Sequence, residues 1–217
     1  MTDDNLLATT RPGLEVDAAR LEQWMSANIA GFRGPLSVKQ FRGGQSNPTY
    51  LLETPHQHYV LRRKPPGELL ASAHAVDREY RVLAALSEFP VPVPRVFALC
   101  EDAAVIGTAF YVMQHVAGRI VWDSALPEVP PDARRMHFEA MNAALASLHN
   151  VDYRAAGLAD FGRAEGYIAR QVSRWSKQYM ADSDAGRFGA MDRLVEWLPA
   201  HLPESSAVAV VHGDYRI

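Results

Sequence analysis

The chain has 217 residues, 48% of them hydrophobic and 22% charged, with a formal net charge of -3. That balance excludes a disordered or fibrous chain and leaves apolar mass for a core, while the near-neutral charge gives no cationic field for wrapping nucleic acid. The one cysteine, Cys100, excludes an internal disulfide and a thiolate metal knuckle, so a reducing compartment, the cytoplasm, is expected.

The N-terminal MTDDNLLATTRPG is acidic where a signal peptide is basic, and no later stretch is long and apolar enough for a bilayer, so neither export nor membrane insertion is expected. Leu14, Ala18, Leu21, Met25 and Ile29 then recur at steps of three and four, which predicts an amphipathic helix. The period changes next. LSVKQF, TYLLET and HYVLRR are short, rich in β-branched and aromatic residues and separated by RGGQSNP and PHQ, which predicts three antiparallel strands.

A helix is expected from Ser72, its N-cap, to Ser87. The alternating prolines of FPVPVPRV forbid a helix, and RVFAL and AFYVMQH read as two more strands before a break at VAGR. Past Pro131 the pattern is helical. Asp132 reads as the cap of a helix with Met136, Met141, Leu145 and Leu148 on one face; further helices are expected over 165–180 and 187–198. VAVVHGDYRI reads as an apolar strand running into a Gly turn that presents Asp214. Strands with one inserted helix, then helices, make an α+β chain with a β-rich lobe over 1–116 and a helical lobe over 117–217, a ligand cleft being expected between them.

One residue in the Ser72–Ser87 helix breaks the pattern. Glu79 falls in the stripe of Val76, Tyr80, Leu83 and Leu86, and its neighbours three and four residues away, Ala75, Val76, Val82 and Leu83, offer no charge to pair with. An unpaired buried carboxylate costs about 3–5 kcal/mol relative to the paired state, so a cation from elsewhere is expected. Arg62 has the right strand parity if Val60 points inward, Arg63 and Lys64 are the alternatives, and the bland reading is that Glu79 reaches solvent at the helix edge.

Taken together, GGQSNPTYLL, YVLRRKPPG, REYRVLAAL, FYVMQHVAGR and VVHGDYRI resemble the aminoglycoside phosphotransferase and choline kinase group of the protein-kinase-like fold, and within it the phosphotransferase-like domains related to those fused to acyl-CoA dehydrogenases. The resemblance implies an ATP-dependent small-molecule kinase using Mg2+. It implies that Arg62 stands where a strand lysine touches nucleotide phosphates, oriented by Glu79, and that Gly43, Gly44, Gln45, Ser46 and Asn47 form a lid over those phosphates. Backbone groups of the hinge, Gln114, His115, Val116 and Ala117, would hold adenine, with Met113 guarding the pocket behind it; Asp214 would be the catalytic base, and His212 a structural residue of its loop.

The family's magnesium ligands, an Asn five residues after the base and an Asp further on, fall beyond Ile217. No metal ligand of the resemblance is therefore present in this segment, and the segment alone is expected to be inactive. The rival reading is a non-catalytic nucleotide-binding or interaction module.

Other signals carry less. GGQSN lacks the Gly-Lys-Ser/Thr of a Walker A loop and is as good a hairpin turn on composition alone, and Pro48 stands where a nucleophile elbow needs Gly. Asp160-Phe161-Gly162 precedes Asp214, where the kinase magnesium triplet would follow it, so it reads as a turn. The eight histidines form no metal pattern. On the 165–180 helix Ile168, Val172, Trp175 and Tyr179 make an apolar face and Arg170, Arg174 and Lys177 a basic one, read as a solvated face or, alternatively, with Trp175 and Arg163, as a wall for the acceptor. Those cations fit a neutral, anionic or CoA-linked hydroxyl compound, such as a hydroxyacyl-CoA, better than a polycationic aminoglycoside.

Overall fold

The computed structural model describes residues 6–8, 10–42, 47–65, 75–184, 186–204 and 208–216. In chain order these form β1 (Leu7–Ala8), α1 (Ala18–Asn28), β2 (Ser37–Phe41), β3 (Thr49–Glu53), β4 (His58–Arg63), α2 (Val76–Leu86), β5 (Val96–Cys100), α3 (Ala103–Ile106), β6 (Phe110–Gln114), α4 (Pro131–His149), α5 (Tyr167–Ala181) and α6 (Gly189–Trp197), followed by one 3-10 turn, Leu198–Ala200. The strands make a single antiparallel sheet in the order β1-β2-β3-β4-β6-β5. Contacts divide the chain into two compact units, 1–147 with 214–217, and 148–213.

Register decides which side chains share a face of the sheet. Tyr50 lies opposite Leu61 and Leu61 opposite Val112, while Leu52 lies opposite Tyr59. These residues, with Phe110, bury themselves against Leu21, Met25 and Ile29 of the α1 segment, and Trp24 meets the Phe110 ring edge-on at 4.8 Å. The predicted stripe is therefore real, although the helix starts at Ala18 and not at Leu14. Asp17 is the reason: its carboxylate accepts from the backbone N–H groups of Ala19 and Arg20 and caps the helix there.

The opposite face carries the alternate residues. Thr49 lies opposite Arg62 and Arg62 opposite Tyr111, and here α2 packs, with Tyr80 edge-on to the Tyr111 ring at 6.2 Å. Within the described residues α2 begins at Val76, after an Ala75 cap that makes no side-chain bond, and the expected cap at Ser72 lies outside them. The proline segment is extended as expected. Val91 and Val93 donate to the carbonyls two residues earlier, so the chain crosses to β5 without helix or strand pairing.

Three expectations need correction. β1 and α3 are too short to leave a periodic signal, and were not predicted. The α4 helix begins at Pro131, with Asp132 inside its first turn and not as its cap, because proline's fixed φ and missing donor suit the first helical position; of its predicted face, Leu148 is buried whereas Met136 is exposed. The third concerns residues 208–211, which form no strand: among the described residues no neighbouring strand supplies the ladder they would need.

In the second unit Leu148, Val151 and Leu158 are buried, and Asp160 to Gly162 form the turn expected before α5. The Tyr179 hydroxyl donates to Asp192 at 2.9 Å and accepts from the Phe188 N–H at 2.8 Å, which ties α5 to α6. That hydroxyl, ahead of the Arg187 guanidinium, holds the Asp192 carboxyl below its ordinary range. Among the described residues no helix is long and apolar enough to cross a membrane.

Replacing Leu52, which is fully buried, by Ala should lower the unfolding free energy by about 2–5 kcal/mol, whereas Asp17→Ala should cost only about 1 kcal/mol. Urea denaturation of both variants checks the ranking.

Candidate active site

The residues that converge do so because strand parity and helix period agree. Arg62 and Arg63 are adjacent in β4 and therefore point to opposite faces. Arg63 is 3% exposed and turns toward the α1 side, where its guanidinium donates to Thr108 Oγ1 at 3.2 Å and to the Glu15 carbonyl at 3.4 Å. Arg62 turns toward α2, and its Nε donates to Glu79 Oε2 at 2.7 Å. Of the three cations open to Glu79 in the sequence, Arg62 is the one that takes it.

The pair is half-buried, with side-chain exposures of 28% for Arg62 and 33% for Glu79. Both readings of Glu79 thus hold in part: its carboxylate is paired, and about a third of its side chain is exposed. Two more donors meet the same carboxylate. Asn47 Nδ2 donates to Oε1 at 2.8 Å and the Tyr111 hydroxyl donates to Oε2 at 3.1 Å, while Arg62 Nη1 reaches Thr49 Oγ1 at 3.4 Å. Burial foremost, and then the Glu79 charge, push the Tyr111 phenol well above its ordinary range, so it remains a donor. Sequence reasoning placed Asn47 in the phosphate lid and missed its bond to Glu79. It missed Tyr111 altogether, because the β4–β6 register that puts Tyr111 beside Arg62 leaves no local signal.

Of the other lid residues, Gly43, Gly44, Gln45 and Ser46 lie outside the described residues. At the end of β6 the Gln114 N–H donates to the Arg95 carbonyl at 2.7 Å, and its side-chain oxygen accepts from the Arg95 N–H at 3.3 Å. Met113 is half-buried, and Val116 is exposed just beyond the strand. His115 meets His58 edge-on at 5.6 Å beside an open depression of about 450 Å3 lined by 54–57, His58, Gln114 and His115. Burial and then His58 lower the His115 pKa, which favours the neutral ring.

Asp214 sits on an exposed loop after Gly213, whose φ of +83° explains the glycine. Arg216 Nε lies 3.9 Å from its carboxylate, and the Tyr215 hydroxyl donates to the Met141 carbonyl at 3.2 Å, tying the loop to α4. On α5, Arg170 donates to the Glu165 and Arg163 carbonyls and so closes the turn before its own helix. Arg174 donates to Gln171 at 2.7 Å and covers the Trp175 ring at 5.0 Å, with Trp175 itself 56% exposed.

Residues 37–217 match the phosphotransferase enzyme family. Acyl-CoA dehydrogenase family member 10 of Mus musculus is 47% identical over 184 residues, covering 85% of this chain and 17% of that protein. A crystal structure from Ralstonia eutropha JMP134, provisionally named an aminoglycoside phosphotransferase, is 48% identical with a TM-score of 0.81, covering 93% of this chain and 59% of that one. Aminoglycoside 2'-phosphotransferase-IIIa, solved as its GDP complex, gives a TM-score of 0.56 at 13% identity over 83% of this chain and 57% of that one, a likeness of fold alone. The α+β architecture is thus that of the kinase-like aminoglycoside phosphotransferases. This chain spans less than a third of the length of the curated relatives it matches.

Glu79→Ala strands three donors, two of them on side chains only 2% exposed, whereas Arg62→Ala removes one. The first should therefore cost about 2–4 kcal/mol and the second about half of that, by chemical denaturation.

Tyr111 adds a pH dependence. An unfolded tyrosine ionises near pH 10, and the folded Tyr111 does so later. Its contribution is full below pH 10 and is lost as pH rises beyond it. The unfolding midpoint should fall in that alkaline range, and less steeply in Tyr111→Phe.

Proposed function

The chain belongs to the phosphotransferase enzyme family, and from that premise we propose that it serves ATP-dependent transfer of the γ-phosphate to a hydroxyl group of a small molecule. The observation that carries the reading is the 2.7 Å contact between Arg62 and Glu79, a cation held by a carboxylate on the α2 face of the sheet. Arg62 binds the nucleotide phosphates, and the planar guanidinium gives it two directions of contact where a lysine would give a point charge. Residues 43–47 cover those phosphates. With the Gln114 N–H engaged by Arg95, adenine is held in this reading by the Gln114 carbonyl and the backbone groups of His115, Val116 and Ala117, with Met113 guarding the pocket behind it. In this reading the nucleotide-binding lobe ends at Val116.

Asp214 accepts the acceptor's hydroxyl proton as the oxygen forms its bond to the γ-phosphorus and the bond to the ADP oxygen breaks. Magnesium would neutralise phosphate charge when bound with the nucleotide. Among the described residues no group of three or more His, Cys, Asp or Glu side chains is placed to hold a metal. The acceptor in this reading is a neutral or anionic hydroxyl compound, CoA-linked ones included, a choice that rests on the charge pattern of the sequence, since Arg170 and Arg174 each have local partners. The cytoplasm, where ATP is abundant, is the compartment this reading needs.

A second reading, a nucleotide-binding module without turnover, is favoured by the exposed loop on which Asp214 sits, 77% accessible and delivered by no strand.

ADP release with a panel of hydroxyl acceptors, measured on the natively expressed protein, separates the two. Acceptor-dependent ADP release that falls roughly 10²- to 10⁴-fold in Asp214→Asn, with ATP affinity retained, supports transfer. ATP binding with no phosphorylated product from any acceptor supports the second reading.

A further inference from the structure

The Glu79 carboxylate is held by more than one cation requires. Its Oε1 accepts from Asn47 Nδ2 at 2.8 Å and from Arg62 Nη2 at 3.5 Å, and its Oε2 accepts from Arg62 Nε at 2.7 Å and from the Tyr111 hydroxyl at 3.1 Å. Two carboxylate oxygens offer about four acceptor directions, and all four are taken.

The unequal distances matter. The short bond runs to Nε and the long one to Nη2, so the guanidinium lies sideways against Glu79 and its Nη1 end extends toward Thr49. These contacts use three of the five N–H groups of an arginine. A carboxylate able to rotate would reach a symmetrical fork across both terminal nitrogens, and that fork would consume the edge a phosphate needs.

We propose that Asn47 and Tyr111 are positioning residues that lock the Glu79 carboxylate in the orientation that takes Arg62 by its Nε edge, keeping the guanidinium's outer edge turned toward nucleotide phosphate. The proposal rests on the phosphate role given to Arg62 above. Both side chains are only 2% exposed and are themselves fixed. Thr49 Oγ1 donates to the Asn47 carbonyl at 3.1 Å, and the Tyr80 ring packs edge-on against Tyr111. Asn47 is the last residue of the segment assigned to the lid and Tyr111 lies three residues before Gln114, so the lock joins the two segments assigned to opposite ends of the nucleotide.

A merely structural role would weaken all ligands alike. Calorimetry with ATP and with adenosine distinguishes the two. Tyr111→Phe, which keeps the ring and its packing, and Asn47→Ala, checked for folding by its thermal transition, should each weaken ATP about tenfold and leave adenosine unchanged. In an Arg62→Ala background neither should cost anything further, because both act through that side chain. Equal losses for adenosine, or equal losses without Arg62, would overturn the proposal.

Should the wild type bind no nucleotide, the phosphotransferase reading itself fails, and the lock is then judged by the Arg62 Nε–H resonance in 15N spectra. A protected, shifted signal in the wild type that is lost in both variants supports it, and a signal unchanged in both refutes it.

Discussion

A carboxylate on the buried side of a helix is tolerated only if its charge is met, and in this protein that condition organises the sheet around it. Glu79 is met by Arg62 because β4 places residues 60 and 62 on one side of the pleat, and because α2 lies over that side. A fully buried pair of this kind is a poor source of stability, since desolvation offsets most of the attraction. At roughly one-third exposure the pair keeps part of its hydration and gives specificity of placement more than energy. Asn47 and Tyr111 complete the acceptor capacity that water would otherwise fill.

How much of this was legible depends on whether a signal is local. Helix α1, the three strands of the first hairpin region, and the lone glutamate on α2 all announce themselves by period, and parity favours Arg62 as the partner of Glu79 without excluding Lys64, a choice that the structure settles. Asn47 and Tyr111 do not. Asn47 reaches the site from the residues before β3 and Tyr111 through the pairing of β4 with β6, distant in sequence, and a side chain's role across a ladder is invisible until register is known. The opposite failure occurs at 208–211. There an apolar run has local strand character, but no neighbouring strand pairs with it among the described residues, and a strand without a ladder does not form.

The basic face of α5 shows why charge patterns in a sequence are weak pointers to ligands. Arg170 is spent on carbonyls of the turn before its helix, and Arg174 on Gln171 and the Trp175 ring, so local backbone and ring contacts account for both. The similarity to other phosphotransferases shows the family, while an acceptor would depend on side chains that differ between members of one fold.

The neighbouring arginines of β4 have one more effect. Arg62 serves the face under α2 and Arg63 the face under α1, each with its own acceptors. Sliding β4 by a single position against β3 has a cost in either direction: one slip sets Leu61 against Glu79, and the other carries the Arg62 guanidinium into the apolar place of Leu61, opposite Tyr50 and Val112. Two like charges side by side therefore act as a ratchet on strand alignment, penalising every misthreaded hairpin before any ligand is present.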